Sequence, residues 1–259
     1  MKLNKPIITI IVIILLVLDL IFFSFTLICR TIVKKDNIEK MVDNFDLKAY
    51  VLSNDRIKES IDNYKYPKEV FDYIDQFNLL NIKRAFLKSL YNGEEILIDK
   101  ENISYLLKSS VYEYENITHE YSYEYVVNDI EYFSSDISYY FNNDFINVYN
   151  LFNVLSSETL SYILLLVSMI LSLILIIVEK NTGFLICSII FLITSFVLFY
   201  LDINLYTVIP FMDKYIDNLK ITLDNRYLIC FIFGFVLLLI YIVYFIKKQM
   251  REFRLRNWR

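Results

Sequence analysis

The run IITIIVIILLVLDLIFFSFTLI, residues 7–28, decides the reading of this chain. It holds a single ionisable residue, Asp19, in 22 positions. A helix rises about 1.5 Å per residue and a bilayer's hydrocarbon core is about 30 Å thick, so about 20 consecutive apolar residues make a membrane span. Three further stretches meet or nearly meet that test without any charge: Leu160–Val178, Phe184–Leu201 and Tyr227–Ile246. Four spans are therefore expected, and the rest of the chain is arranged around them.

Composition agrees with that division. The 259 residues are 56% hydrophobic and still 22% charged, so apolar and charged residues must be segregated along the chain. Only three glycines are present. With one histidine, His119, no Cys-x-x-Cys and no phosphate-cradling loop, familiar enzyme chemistry is not expected, and neither is a cofactor or a metal. Cys29, Cys187 and Cys230 all fall in or beside spans, which leaves the long connecting segment without a disulfide of its own.

Sidedness follows from the loops. Lys2 and Lys5 precede the first span, and Lys247, Lys248, Arg251, Arg254, Arg256 and Arg259 follow the last. Four spans put both termini on one side, and basic flanks mark that side as cytoplasmic. The segment between the first two spans carries 14 basic and 23 acidic residues, a net charge of −9. The expected divisions are residues 1–29 as N-terminus and first span, 30–158 as an extracytoplasmic domain, 159–246 as the other three spans with an external loop at 202–226, and 247–259 as a basic cytoplasmic tail. The first span is too long for a cleaved secretory signal, and no small-residue cleavage site follows it. A lipoprotein reading fails because bulky Ile28 precedes Cys29.

Within residues 30–158 the apolar periodicity is helical. Ile38, Met41, Val42 and Phe45 form one stripe; Ile57, Ile61 and Tyr64 a second; Val70, Phe71, Ile74 and Phe77 a third, opened by Pro67; Ile82, Phe86, Leu87 and Leu90 a fourth, stopped at Asn92-Gly93. Residues 94–98 read as a possible extended piece, after which Asp99 is placed to cap a helix bearing Ile103, Leu106 and Leu107. The Tyr/Glu alternation over 111–129 fits strand as well as helix, and we favour helix because Ile130, Phe133, Ile137, Tyr140 and Phe141 keep a helical period. Pro210 opens a short amphipathic helix bearing Phe211, Met212, Tyr215, Ile216 and Leu219. The expected fold class is all-α: a four-helix transmembrane bundle with a mainly helical extracytoplasmic domain between its first two helices.

Three features carry functional expectations. Asp19 lies near the middle of a span, where a carboxyl group calls for a partner helix, a proton or ion path, or a neutral hydrogen-bonded niche. Small residues four apart occur once in each later span, as Ser168/Ser172, Gly183/Cys187 and Cys230/Gly234, and such pairs let helices approach closely in lipid. The tail residues Lys247, Lys248, Arg251, Arg254, Arg256, Trp258 and Arg259 suit anionic lipid headgroups.

The stretches Thr31-Ile-Val-Lys-Lys-Asp36, Tyr91-Asn-Gly-Glu-Glu-Ile-Leu-Ile-Asp99 and Lys100-Glu-Asn-Ile-Ser104 resemble an uncharacterised family of four-span membrane proteins from low-GC Gram-positive bacteria. The resemblance covers the first 110 residues or so, implies a bacterial plasma-membrane location, and transfers no catalytic residue. The layout is also similar to permeases of mechanotransmitting ABC transporters. Those carry a coupling element between spans two and three, for which residues 179–183 are too short.

The leading expectation is a non-enzymatic membrane protein whose outer domain binds a protein, peptide or envelope component. The alternative is a transporter subunit or small permease with Asp19 on a polar path. Expected partners are the lipid bilayer and another membrane or envelope protein or a second copy of the chain, not nucleic acid.

Overall fold

In the computed structural model the described residues are 5–63, 68–94, 96–119, 123–208 and 223–257. Every regular element among them is helical, and no strand occurs. The helices are α1 (Lys5–Val33), α2 (Lys35–Asp43), α3 (Leu47–Ser53), α4 (Asp55–Asn63), a 3₁₀ turn (Lys68–Tyr73), α5 (Gln76–Asn92), α6 (Lys100–Thr118), α7 (Tyr123–Leu155), α8 (Glu158–Glu179), α9 (Asn181–Val208) and α10 (Tyr227–Asn257). The chain forms two compact units: Lys34–Leu151 lie in one, and α1 and α8 to α10 in the other.

The unit made of α1 and α8 to α10 is a helical bundle. Its four helices are long and apolar enough to cross a membrane, which is the build of a multi-pass membrane protein. Leu16, Leu20, Phe23 and Leu27 of α1 join Leu175 of α8, Phe191 and Leu198 of α9 and Cys230 of α10 in one apolar core. The remaining surface of these helices is a coat of exposed Ile, Leu, Val and Phe, among them Ile21, Phe22, Ile163, Leu173, Ile193 and Ile232. Water would not tolerate a coat of that extent on a monomer; hydrocarbon does.

The α8–α9 connection is tight. Glu179 ends one helix, Asn181 opens the next, and Lys180 alone turns the chain with φ 56° and ψ −125°. The apolar stretch of the third span ends at Leu201, and its helix α9 continues past it to Val208. The helix expected from Pro210 onward lies outside the described residues, as do Trp258 and Arg259.

The unit Lys34–Leu151 is polar outside and aromatic within. Phe141 of α7 meets Phe45, Tyr50 and Phe86 edge to face at 5.4–5.7 Å, and Phe86 also meets Phe145 at 4.8 Å. Such pairs add about 0.5–1.5 kcal/mol each beyond their buried area. The second α7 face, Ile130, Phe133 and Ile137, is fully buried, with Phe71 of the 3₁₀ turn against Phe133.

Local capping explains where these helices begin and end. Gly93 closes α5 in the left-handed region at φ 70°, sending its amide to Leu90 and the Glu94 amide to Ser89. Asp99 caps α6 through the Glu101 amide. His119, the single histidine, ends α6 at φ 57°. The region 111–129 is helical on both sides of the undescribed residues 120–122, through α6 and α7.

Two local expectations are corrected. The stripe Val70–Phe71–Ile74–Phe77 is not one helix: a 3₁₀ turn ends at Tyr73, and Asp75 caps a new helix through the Phe77 and Asn78 amides. Phe77 is consequently 67% exposed. Residues 96–98 are not a strand either, because the Leu97 and Ile98 amides and the Ile98 carbonyl, which a partner strand would engage, are taken by one side chain. Asn142 Oδ1 accepts from the Leu97 and Ile98 amides at 3.1 and 3.0 Å, and its Nδ2 donates to the Ile98 carbonyl at 2.9 Å.

Candidate functional site

The bundle holds a polar seam between α1 and α8. Buried positions on α1 include the stripe Val12, Leu16, Asp19, Phe23 and Thr26, flanked by Leu20 and Leu27, and those on α8 are Ser161, Leu165, Ser168, Ser172 and Leu175. Both alternate steps of four and three, the spacing of helices that stay in register by supercoiling. The cross-links fix an antiparallel register. Thr26 and Ser161 hydroxyls lie 3.5 Å apart, and Ser168 Oγ donates to Asp19 Oδ2, seven residues further along each helix. The small side chains of Ser161 and Ser168, facing Thr26 and Asp19, allow close approach.

Charges close the seam at both ends. At one, Lys5 pairs with Glu179 at 3.3 Å, and Thr9 Oγ1 donates to the same carboxylate. At the other, Arg30, Asp224, Arg226 and Glu158 form a ring of alternating sign. Arg30 Nε lies 2.9 Å from Asp224 and its NH2 3.7 Å from Glu158, while Arg226 bonds Glu158 and lies 3.7 Å from Asp224. The Asp224 amide donates to Thr31 Oγ1 at 3.1 Å, and the Arg226 guanidinium stands 5.0 Å over the Tyr162 ring. Glu158 and Glu179 bound α8, separated by a rise of about 31 Å at 1.5 Å per residue. That separation matches a hydrocarbon core of about 30 Å.

The three small-residue pairs all sit at helix contacts. Ser168 and Ser172 are buried on α8, and Cys187 of α9 lies 3.8 Å from the Ser172 carbonyl. A Cβ on Gly183 would stand 2.7 Å from Ile176 Cα and 2.8 Å from the Leu175 carbonyl oxygen. Across α9 and α10, a Cβ on Gly234 would meet Phe191 Cβ at 3.0 Å, and Cys230 is fully buried. In the tail, Lys247, Lys248, Arg251 and Arg254 are exposed along α10, which carries Arg256 through to Asn257.

Asp19 and Ser168 form a pair whose strength a double-mutant cycle measures. Asp19→Leu, Ser168→Ala and the combination should give a coupling of about 0.6 kcal/mol, and no more than about 1.7, in detergent unfolding. Additive effects would mean that the hydrogen bond contributes nothing.

The other unit has a groove of about 580 Å³ lined by Glu39, Asp43, Gln76, Leu79, Leu80, Lys83, Arg84 and Leu87. The α5 members, 76, 79, 80, 83, 84 and 87, share one helical face. Lys83 Nζ donates to the Asp43 carbonyl at 2.7 Å. Burial pushes the Lys83 ammonium below its usual range, and the carboxylates of Asp43 and Asp46 oppose that shift. At the far end of α2, Tyr91 OH donates to the Lys35 carbonyl at 3.3 Å. Burial, followed by the Glu39 carboxylate, Tyr149 and Asp36, pushes the Tyr91 phenol up to about 12.

No known protein family matches the chain, and no curated protein or solved structure does either. Its sites must be read from their own chemistry.

Sequence reasoning did not find the Arg30–Glu158–Asp224–Arg226 ring or the groove. The ring had a signal: Arg30, Glu158 and Arg226 each stand within two residues of an apolar run. The groove had none, since two side-chain-to-carbonyl bonds spanning 40 and 56 residues align α2 with α5. Among the described residues no group of three or more metal-ligating side chains converges.

Proposed function

We propose that this is a non-enzymatic multi-pass protein of a bacterial plasma membrane, with both termini cytoplasmic. In this reading the helical unit Lys34–Leu151 lies outside the membrane and binds a protein, peptide or envelope component, and the bundle anchors it. The groove between α2 and α5 carries the proposal. It joins an apolar surface, Leu79 and Leu80, to charges of both signs, a make-up that suits ligand binding. Support for an anchoring bundle comes from the seam, where Asp19 is satisfied within the chain by Ser168 and is buried.

The resemblance to four-span proteins of low-GC Gram-positive bacteria fits this location. The basic residues of α10, beginning at Lys247, would then lie at the inner leaflet and meet anionic headgroups.

A photo-crosslinking amino acid at Leu80 of the full chain in living cells tests the reading, with Tyr112 on a different, exposed surface as control. Adducts with an extracytoplasmic protein or wall peptide from Leu80 and not from Tyr112 are expected. Equal labelling at both positions would remove the groove from the account. Co-purification with a cytoplasmic ATPase would favour a transporter subunit instead.

A further inference from the structure

The groove exists because one helix outruns its neighbour. The Lys83–Asp43 and Tyr91–Lys35 bonds set α2 antiparallel to α5, eight residues along one for eight along the other. With 9 residues, α2 therefore covers only the C-terminal half of the 17-residue α5. The face bearing Gln76, Leu79 and Leu80 continues past the end of α2, and Leu80 is 36% exposed.

Charge is sorted across this opening. The α2 side offers Asp43 at the helix C-terminus, where the backbone dipole adds further negative potential, and one turn back Glu39, whose carboxylate also lies 3.9 Å from Lys35 Nζ. The α5 side offers Arg84, which makes no ion pair among the described residues. Lys83 is turned to the Asp43 carbonyl and straps the two helices together. An anionic lipid headgroup would meet the carboxylates; a wholly apolar ligand would leave both charged walls facing it without compensation. A volume of about 580 Å³ falls in the range of about 300–1,000 Å³ typical of small-ligand sites, enough for a few side chains of a peptide.

We infer that the groove between α2 and α5 binds a short extended peptide with a basic side chain against Glu39 and Asp43, apolar side chains on Leu79 and Leu80, and an acidic group on Arg84. This rests on the reading of Lys34–Leu151 as the partner-binding unit and names the class of its ligand.

The test uses the full chain in phosphatidylcholine nanodiscs and fluorophore-labelled, end-blocked peptides: Lys-Leu-Leu-Glu, its reverse Glu-Leu-Leu-Lys, and neutral Gln-Leu-Leu-Gln. Saturable binding of one charged peptide at least tenfold tighter than the neutral one is expected. Arg84→Glu and Glu39→Lys should each weaken it about tenfold, and the two together should restore binding of the peptide in the opposite order. Leu80→Trp, which fills the opening without altering charge, should abolish binding while the helical signal and melting temperature are kept.

Equal binding of charged and neutral peptides, or binding indifferent to Arg84→Glu and Leu80→Trp, would overturn the inference. So would the absence of binding at millimolar peptide. If that absence coincides with specific crosslinking at Leu80, the peptide class falls and the wider reading stands; if crosslinking fails as well, both fall.

Discussion

Gly183→Val is expected to destabilise the bundle by about 3 kcal/mol or more, and Gly183→Ala by about 2, within or above the usual cost of overpacking a tight contact. The reason is the identity of the atoms in the way. A Cβ at this position would lie 2.7 Å from Ile176 Cα, 2.8 Å from the Leu175 oxygen and 3.1 Å from Ile176 N, all of them backbone. A side chain can rotate out of such a contact; a helix backbone cannot.

The turn offers no slack either, because it is a single residue held by bonds from the Lys180 amide to Ile176 and from the Gly183 amide to Lys180. Relief therefore requires α9 to move away from α8, which breaks the Cys187–Ser172 contact and the core around Leu175. Denaturation of the purified protein in mixed micelles, followed by the helical signal, measures the loss. Gly93→Ala is the matched control. Nothing lies within 4 Å of a Cβ there, so only the left-handed backbone at φ 70° is disfavoured, at about 1 kcal/mol.

Asn142→Leu is expected to cost about 3 kcal/mol in the other unit. Asn142 supplies an acceptor to two amides, Leu97 and Ile98, and a donor to the Ile98 carbonyl, and it also touches Ser138 Oγ at 3.2 Å. Leu97 and Ile98 are buried at 3% and 8% exposure, so water cannot readily replace the lost partner. An unsatisfied buried donor costs about 1–3 kcal/mol, and two are created. The Ile98 carbonyl keeps its bond from Ser138 Oγ at 2.6 Å, which limits the damage on that side.

For a domain whose total stability is about 5–15 kcal/mol, this loss is a large share. Hydrogen exchange separates the cause from general loosening: the Leu97 and Ile98 amides should lose protection before those of α5 and α6. Asn142→Asp, which keeps the acceptor and loses the donor, should fall between the wild type and the leucine variant.

The parts of this fold that were legible in the sequence are those where local chemistry leaves one solution. Lipid-spanning helices announce themselves because a run such as residues 7–28 has no other economical solvent. The ends of α5 and the start of α6 were legible because Gly93 and Asp99 act on their immediate neighbours. The stripe from Val70 to Phe77 misled because its period crosses a helix boundary. Asp75 satisfies the Phe77 and Asn78 amides and so starts a new helix there, which no hydrophobic pattern records.

Long-range bonds explain the remaining misses. Residues 94–98 alternate in sequence as a strand would, yet the Leu97 and Ile98 amides bond an amide side chain some 44 residues away. Asp19 was legible as a polar position in a greasy helix, but its partner was not. Ser168 is one serine among several in α8, and only the antiparallel register of seven-residue steps from Thr26 and Ser161 selects it.

Cysteine accessibility in a cysteine-free background tests the central claim most directly, using single cysteines at Tyr112 and at Lys248. Both positions are well exposed, so labelling reports sidedness rather than burial. In intact cells a membrane-impermeant maleimide should label the cysteine at 112 and spare that at 248, and in inside-out vesicles the pattern should reverse. Labelling of both from the same face would contradict the account, because residues 34–151 and the end of α10 would then share one side of the membrane.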